Sequence, residues 1–355
     1  MTTEPRAIGT QATDGHADRA TAEGVDTPPR GRVPDFFIIG HEKCGTTALY
    51  NILKGHPQVF MPALKEPRFF ITDRPARRPG RGHTVRPQTL EDYLLLFTGA
   101  RADQRAGEAS PQYIRSKDAA RRIAEVQPAA RVIAILREPT SFLRSYHLQC
   151  VRGLIESERD LRKALALEEQ RRQGKKIPRK SRAPNRLFYC EHVRYVEQLQ
   201  RFEAVFGREQ MLVLIYEDFL RDNDASARTV LRFLGVDDTV ALVAAKGDVH
   251  RGVRRRKTVR LQRLHRAALA LQRARRKSVE AGRLSRTVDA LTPSWLRSDA
   301  IDELARRTIF TAPPPPDEQL VRELRIRFKP EVVALSDYLG RDMVSAWGYD
   351  RVDGS

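Results

Sequence analysis

Uninterrupted apolar runs alternate with segments of helical periodicity along most of the chain. Residues 36–40, FFIIG, are apolar up to a glycine, and Leu49, Ile52 and Leu53 recur at helical spacing directly afterwards. The clearest run is VIAIL within ARVIAILREP (130–139), which ends at Arg137, and QMLVLIYEDF (210–219) carries another. Runs without polar alternation belong to parallel strands covered on both faces. LEDYLLLF (90–97) predicts a short helix and YVEQLQRFEAVF (195–206) an amphipathic one. RAGEASPQYI (105–114) predicts a strand end with a turn after it, and QVFMPALKEPRFFI (58–71) an extended piece. Strands alternating with helices imply right-handed crossovers. The expected fold class is therefore α/β, a three-layer, P-loop-like sandwich with a central parallel sheet flanked by helices. Ligands of such sheets bind outside the carboxyl ends of the strands.

The flanks read differently. Residues 1–32 are rich in Thr, Gly, Ala and Pro and have no apolar core, so a disordered tail is expected there. Residues 33–350 are expected to form a single domain with a basic helical C-terminal part from about residue 251. In RGVRRRKTVRLQRLHRAALALQRARRK, Leu261, Leu264, Ala268 and Leu271 recur at helical spacing among arginines. FTAPPPPDEQL then breaks the pattern before a last helix over roughly 316–340. DRPARRPGRGHTVRP (73–87) and RQGKKIPRKSRAPN (172–185) read as basic loops. Trp295 and Trp347 read as core residues of the C-terminal helices.

Charge narrows the partners. The 355 residues carry 64 Lys and Arg against 45 Asp and Glu, a formal net charge of +19. Most of these cations are Arg, which suits bidentate recognition of phosphate, sulfate or carboxylate. The same charge admits an anionic membrane surface or a nucleic acid, with 251–277 as the contacting helix. Three cysteines without C-x-x-C spacing point to a reducing compartment, so a cytoplasmic protein is expected, peripheral at a membrane if that helix lies on lipid. No apolar run approaches the length of about 18 residues that a membrane helix needs. His41, His56 and His147 have no zinc-type spacing with cysteine, and no metal is expected.

The loop GHEKCGTT (40–47) has the outline of G-x-x-x-x-G-K-[ST]. Gly40 and Gly45 fit, but Thr46 stands in the lysine's place, Thr47 follows it, and Lys43 lies inside the spacer. A strand–loop–helix of this shape still presents amides and the positive end of a helix to an anion. A metal-dependent nucleotide triphosphatase is expected to end a buried strand in an aspartate, whereas VIAIL ends in Arg137. A cation there suits a ligand with an additional phosphate to clamp, and Ser145 lies eight residues on, about two helical turns. Two other readings share parts of this pattern: a nucleotide-dependent kinase on the same loop, and a basic nucleic-acid or membrane-surface binding protein. Cys44 adjoins Lys43 at a helix N-terminus, which predicts a reactive thiol.

IIGHEKCGTTALYNILKGHPQVF and RVIAILREPTSFLRSYH, at this separation, resemble two segments of the sulfotransferases that use 3′-phosphoadenosine 5′-phosphosulfate (PAPS), and the likeness spans roughly 33–350. It implies in-line transfer of a sulfuryl group from PAPS to a hydroxyl or amine. Lys43, Cys44, Gly45, Thr46, Thr47 and Ala48 would then surround the 5′-phosphosulfate, and Arg137 and Ser145 would hold the 3′-phosphate. KEPRFF resembles the segment of the glycan-modifying, heparan-sulfate branch in which a glutamate is the catalytic base. This carries over to Glu66, with Glu108 in reserve and Asp218 of YEDF structural. VHRGVRRRK loosely matches the family's C-terminal cofactor loop, implying Arg251, Gly252 and Arg255. The chain departs from the glycan branch at Arg68, where that branch often has histidine, and at Ala109, where it has lysine. The ending RFKPEVVALSDYLGRDMVSAWGY resembles bacterial members. The implied partner is a small-molecule, glycan or lipid-linked acceptor, with no specific nucleic acid.

Overall fold

The apolar runs become strands whose two faces are both covered. The computed structural model describes residues 32–72, 86–178, 181, 184–242, 255–256, 310–311 and 315–351. All five residues of β1 (Phe36–Gly40) are buried. So are all but the first of β3 (Arg105–Ala109) and of β4 (Arg131–Leu136). With β2 (Val59–Phe60) and β5 (Met211–Ile215) they form a five-stranded sheet in the order β2-β3-β1-β4-β5, every pairing parallel. The register sets Ile38 beside Ile133 and Ala134 beside Val213. The α/β sandwich expected from the alternation is the architecture observed.

The helices are α1 (Thr46–Lys54), α2 (Leu90–Leu94), α3 (Ala119–Val126), α4 (Pro139–Gly153), α5 (Leu161–Ala166) and α6 (Glu168–Arg172). They continue with α7 (Tyr195–Phe206), α8 (Tyr216–Arg221), α9 (Asn223–Leu234), α10 (Glu318–Leu339) and α11 (Met343–Ala346). Helix α4 starts where the sequence stops it from being strand: Pro139 takes the first helical position and the Glu138 carboxylate caps the amides of Thr140 and Ser141. Helix α10 starts on an Asp317 cap and ends on Gly340 in the left-handed region, within two residues of its expected bounds.

Three expectations change. The extended piece 58–71 is strand only at Val59–Phe60, since the prolines at 62 and 67 offer no amide to a ladder. The strand in 210–219 ends at Ile215, and Tyr216 already opens α8. The basic part beginning near 251 is not helical at Arg255–Arg256, which pair antiparallel with Phe310–Thr311 as β6 and β7. The rest of 251–277, with Leu261, Leu264, Ala268 and Leu271, lies outside the described residues, as do Trp295, residues 1–31 and most of the basic loop 73–87. Arg32 is already tied to the domain, paired with Asp35 at 3.0 Å and donating to the Arg101 carbonyl at 2.8 Å.

From β1 the chain runs outward to β2, returns to β3, and then crosses to β4 on the other side of β1. That reversal is the switch point at which open α/β sheets bind ligands. The carboxyl ends of β3, β1, β4 and β5 meet there.

Candidate active site

The loop leaving β1 is shaped by its glycines. Gly40 has φ 128°, and a Cβ on it would stand 2.4 Å from the Ile135 carbonyl oxygen of β4, so only glycine fits. Beyond it the handedness alternates: Lys43 has φ 75° and Gly45 φ 86°, with Cys44 between them outside the left-handed region. Such alternation turns successive amides toward one concave side and makes an anion-binding nest. A left-handed lysine costs on the order of 1–3 kcal/mol, a strain concentrated at functional sites. Ala48 and Leu49 donate to the Gly45 carbonyl at 2.9 and 3.1 Å. The first-turn amides of Thr46 and Thr47 therefore have no partner within the helix. Thr46 is buried and Thr47 exposed.

Cys44 does not behave as its neighbours suggested. Its thiol is fully buried, and burial pushes its pKa far up, outweighing the opposing charge of Arg137. The reactive thiol expected from sequence is corrected to a buried packing residue of the core.

Arg137 follows β4 directly and reaches across to the loop. Its Nη1 donates to the Lys43 carbonyl at 3.0 Å, and its guanidinium lies 4.6 Å from the centre of the Tyr216 ring at the end of β5. Its Nε is buried with no hydrogen-bond partner among the described residues. Burial, then the charges of Arg137 and Arg152, pull the Lys43 ammonium below the usual lysine range. Burial and Arg137 act on Arg144 in the same direction. The loop, the end of β4 and one side of α4 thus gather cations, with Arg137 and Arg152 disfavouring the charge of Lys43 and Arg137 that of Arg144. Ser145 is half-buried beside Arg144 in the same helix. β6 packs against α4, which brings the backbone of Arg255 to this side. Arg251 and Gly252 lie outside the described residues.

Glu66 comes to the same end of the sheet from the loop after β2. Its amide donates to the Ala109 carbonyl at 3.1 Å, and the Arg68 amide donates to Ser110 Oγ at 3.0 Å, which pins the segment on the end of β3. Glu66 and Arg68 both hold positive φ, at 59° and 56°. The Glu66 carboxylate is paired with Lys65 at 3.1 Å and with Arg68. Burial opposes its charge, but those two cations hold its pKa at about 2. Glu108, on β3, has the opposite setting. It is fully buried, accepts from Ser110 Oγ at 3.0 Å, and is pushed by burial up to about 7. Asp218 is structural, bound to Arg341 and Arg221.

Sequence reasoning missed the residues that join these parts. Gln112, just past β3, donates to Glu42 at 2.7 Å and to Glu66 at 3.4 Å, linking the loop to the candidate base. Against the cost of burial, Arg186 and Arg115 keep Glu42 ionised, and Arg186 contacts it at 3.3 Å. His41 bonds to Gln198 at 3.0 Å, and burial followed by the charge of Arg115 lowers its pKa to about 3, so its buried ring stays neutral. Gln112 lies within GEASPQY at a strand's carboxyl end, a signal that position alone could have supplied.

Gln112, Arg115, Asn185, Arg186, Gln198 and Arg201 line a cleft of about 590 Å³. The buried Nε of Arg115 has no hydrogen-bond partner among the described residues. Through Gln112 and Arg186 the lining of the cleft contacts Glu42 of the loop, and through Gln112 it also contacts Glu66.

A model described as the Sulfotransferase family matches residues 34–239. Carbohydrate sulfotransferase 15 of Mus musculus is 29% identical over 58% of this chain and 44% of that protein. Heparan sulfate glucosamine 3-O-sulfotransferase 6 of Homo sapiens is 31% identical over 32% of this chain and 30% of its own length. The chain thus spans less than half the length of these curated relatives. The crystal structure of a sulfotransferase from Alicyclobacillus acidocaldarius superposes with a TM-score of 0.61 at 26% identity, covering 88% of this chain and 98% of that one.

Proposed function

From the premise that this chain belongs to the sulfotransferase family, whose model matches residues 34–239, we propose that it transfers a sulfuryl group from PAPS to a hydroxyl of an anionic acceptor. The observation that carries the reading is the cation where a triphosphatase has its acid: Arg137 at the end of β4, bonded to the loop after β1, with a buried Nε that has no partner among the described residues. The site fits a ligand with two phosphate positions. Loop amides and Thr46 and Thr47 serve the 5′-phosphosulfate, and Arg137, with Ser145 on α4, serves the 3′-phosphate.

PAPS supplies an activated sulfuryl group on a phosphate oxygen. Lys43 offers its ammonium to that oxygen as the S–O bond breaks and charge collects there, an interaction stronger in the transition state than before it. The acceptor oxygen forms the new bond to sulfur, and its proton passes to Glu66. A carboxylate held at about 2 is ionised at every working pH. Its pull on the proton is weak, so it acts late, when the attacking hydroxyl has become acidic.

The cleft supports the choice of acceptor. In its lining Arg115, Lys117, Arg186, Arg194 and Arg201 outnumber Asp118, Glu191 and Glu197, and with Gln112, Asn185 and Gln198 they suit a polyhydroxylated molecule that carries carboxylate or sulfate, such as an acidic saccharide. Three free cysteines support a reducing compartment. Among the described residues no helix is long and apolar enough to cross a membrane.

The test is mass spectrometry of acceptor panels incubated with PAPS and the protein. A gain of one –SO₃ on acidic saccharides, exceeding that on neutral saccharides and apolar alcohols, is the expected result. Preference for a neutral or apolar acceptor would overturn the acceptor class. No sulfation of any acceptor would count against the activity.

A further inference from the structure

The last described turn of the chain reaches back to the strand end that carries Arg137. Trp347 and Tyr349 are 5% and 0% exposed. The Trp347 indole donates to Glu217 Oε2 at 3.0 Å, and the other oxygen of Glu217 accepts the Glu138 amide at 3.2 Å. The Tyr349 hydroxyl donates to Glu138 Oε1 at 2.8 Å, on the carboxylate that caps α4. The Arg137 carbonyl accepts from the Tyr195 hydroxyl at 2.8 Å. The peptide joining Arg137 to Glu138 is therefore held at its carbonyl by α7 and at its amide by a carboxylate that the C-terminal segment fixes. Glu217 also follows Tyr216, whose ring stacks on the Arg137 guanidinium, so Trp347 secures that ring as well.

We infer that Trp347 and Tyr349 are positioning residues for the Arg137 phosphate clamp, acting through Glu217 and Glu138 to fix where the guanidinium points. Neither side chain touches the ligand in this scheme. Their effect falls chiefly on the phosphate that Arg137 serves, and only indirectly on the loop that serves the other, which Arg137 touches through the Lys43 carbonyl. A pair of aromatic hydrogen-bond donors that merely filled the core would affect both phosphates alike. The inference rests on the reading that Arg137 binds a 3′-phosphate, and the test separates the two.

Calorimetry would compare adenosine 3′,5′-bisphosphate with adenosine 5′-monophosphate on the wild type and on Trp347→Phe and Tyr349→Phe, which keep an aromatic ring and remove the donors. Each ratio is measured on one protein preparation, so a reduced folded fraction cancels. The wild type is expected to favour the bisphosphate strongly, and each variant to lose about tenfold of that preference, equivalent to about 1.4 kcal/mol, with a much smaller loss of monophosphate binding. If the wild type shows no preference, the assignment of Arg137 to the 3′-phosphate fails. If it does and both variants keep the full preference, or lose both nucleotides equally, the positioning role is overturned.

Discussion

Turnover on an aliphatic alcohol acceptor is expected to fall ~10²–10⁴-fold in Glu66→Gln, the range typical of a lost general base, while affinity for the nucleotide stays nearly unchanged. Glutamine keeps the size and the hydrogen bond to Gln112 but cannot take the proton. In the proposed site the nucleotide is held by loop amides, Lys43 and Arg137, and among the described residues none of these bonds to Glu66. The loss should shrink for a phenol, whose proton needs less help. The pH profile identifies the base independently. With Glu66 at about 2, wild-type kcat/KM should show no acid limb from a carboxylate between pH 5 and 8. An acid limb near pH 7, together with a near-normal rate for Glu66→Gln, would move the role to Glu108, whose burial holds it at about 7.

Lys43→Ala should lower turnover ~10²–10³-fold, as for the loss of one donor to a developing oxyanion, and should also weaken nucleotide binding. The two effects go together because the ammonium meets a phosphate oxygen before and during the reaction. Alanine would also have to hold φ 75°, where a side chain is strained. Lys43→Gly separates these contributions: it relieves the backbone and still lacks the cation. Single-turnover kinetics on both variants is the check. Equal losses assign the effect to the charge, and recovery in the glycine variant would assign it to loop strain instead.

The fold was largely legible because its strands are of the buried parallel kind. FFIIG, VIAIL and MLVLI stand out as apolar runs, and a two-sided cover is what makes them so. The loop and Arg137 were legible for the same reason: each is fixed by adjacency to a strand end. What the sequence hid was set by distance along the chain. Gln112 meets Glu42 across 70 residues and Arg186 meets the same carboxylate across 144, and neither residue type is unusual by itself. Cys44 misled because a helix N-terminus and a nearby lysine are local features, whereas the burial that overrides them comes from the packed fold around it. Glu66 was found only through resemblance. The left-handed backbone at Glu66 and Arg68 has no marker in KEPRFF, since it is imposed by Ala109 and Ser110 of a different segment.

The most direct test of the two-phosphate site is titration calorimetry with adenosine 3′,5′-bisphosphate in the presence of a metal chelator, against ATP with Mg²⁺. The expected result is metal-independent binding of the bisphosphate, with stabilisation of about 2.7 kcal/mol at ~100 times its dissociation constant, and much weaker binding of ATP. Equal or tighter ATP binding that requires Mg²⁺ would contradict the sulfuryl-transfer reading and favour a kinase on the same loop.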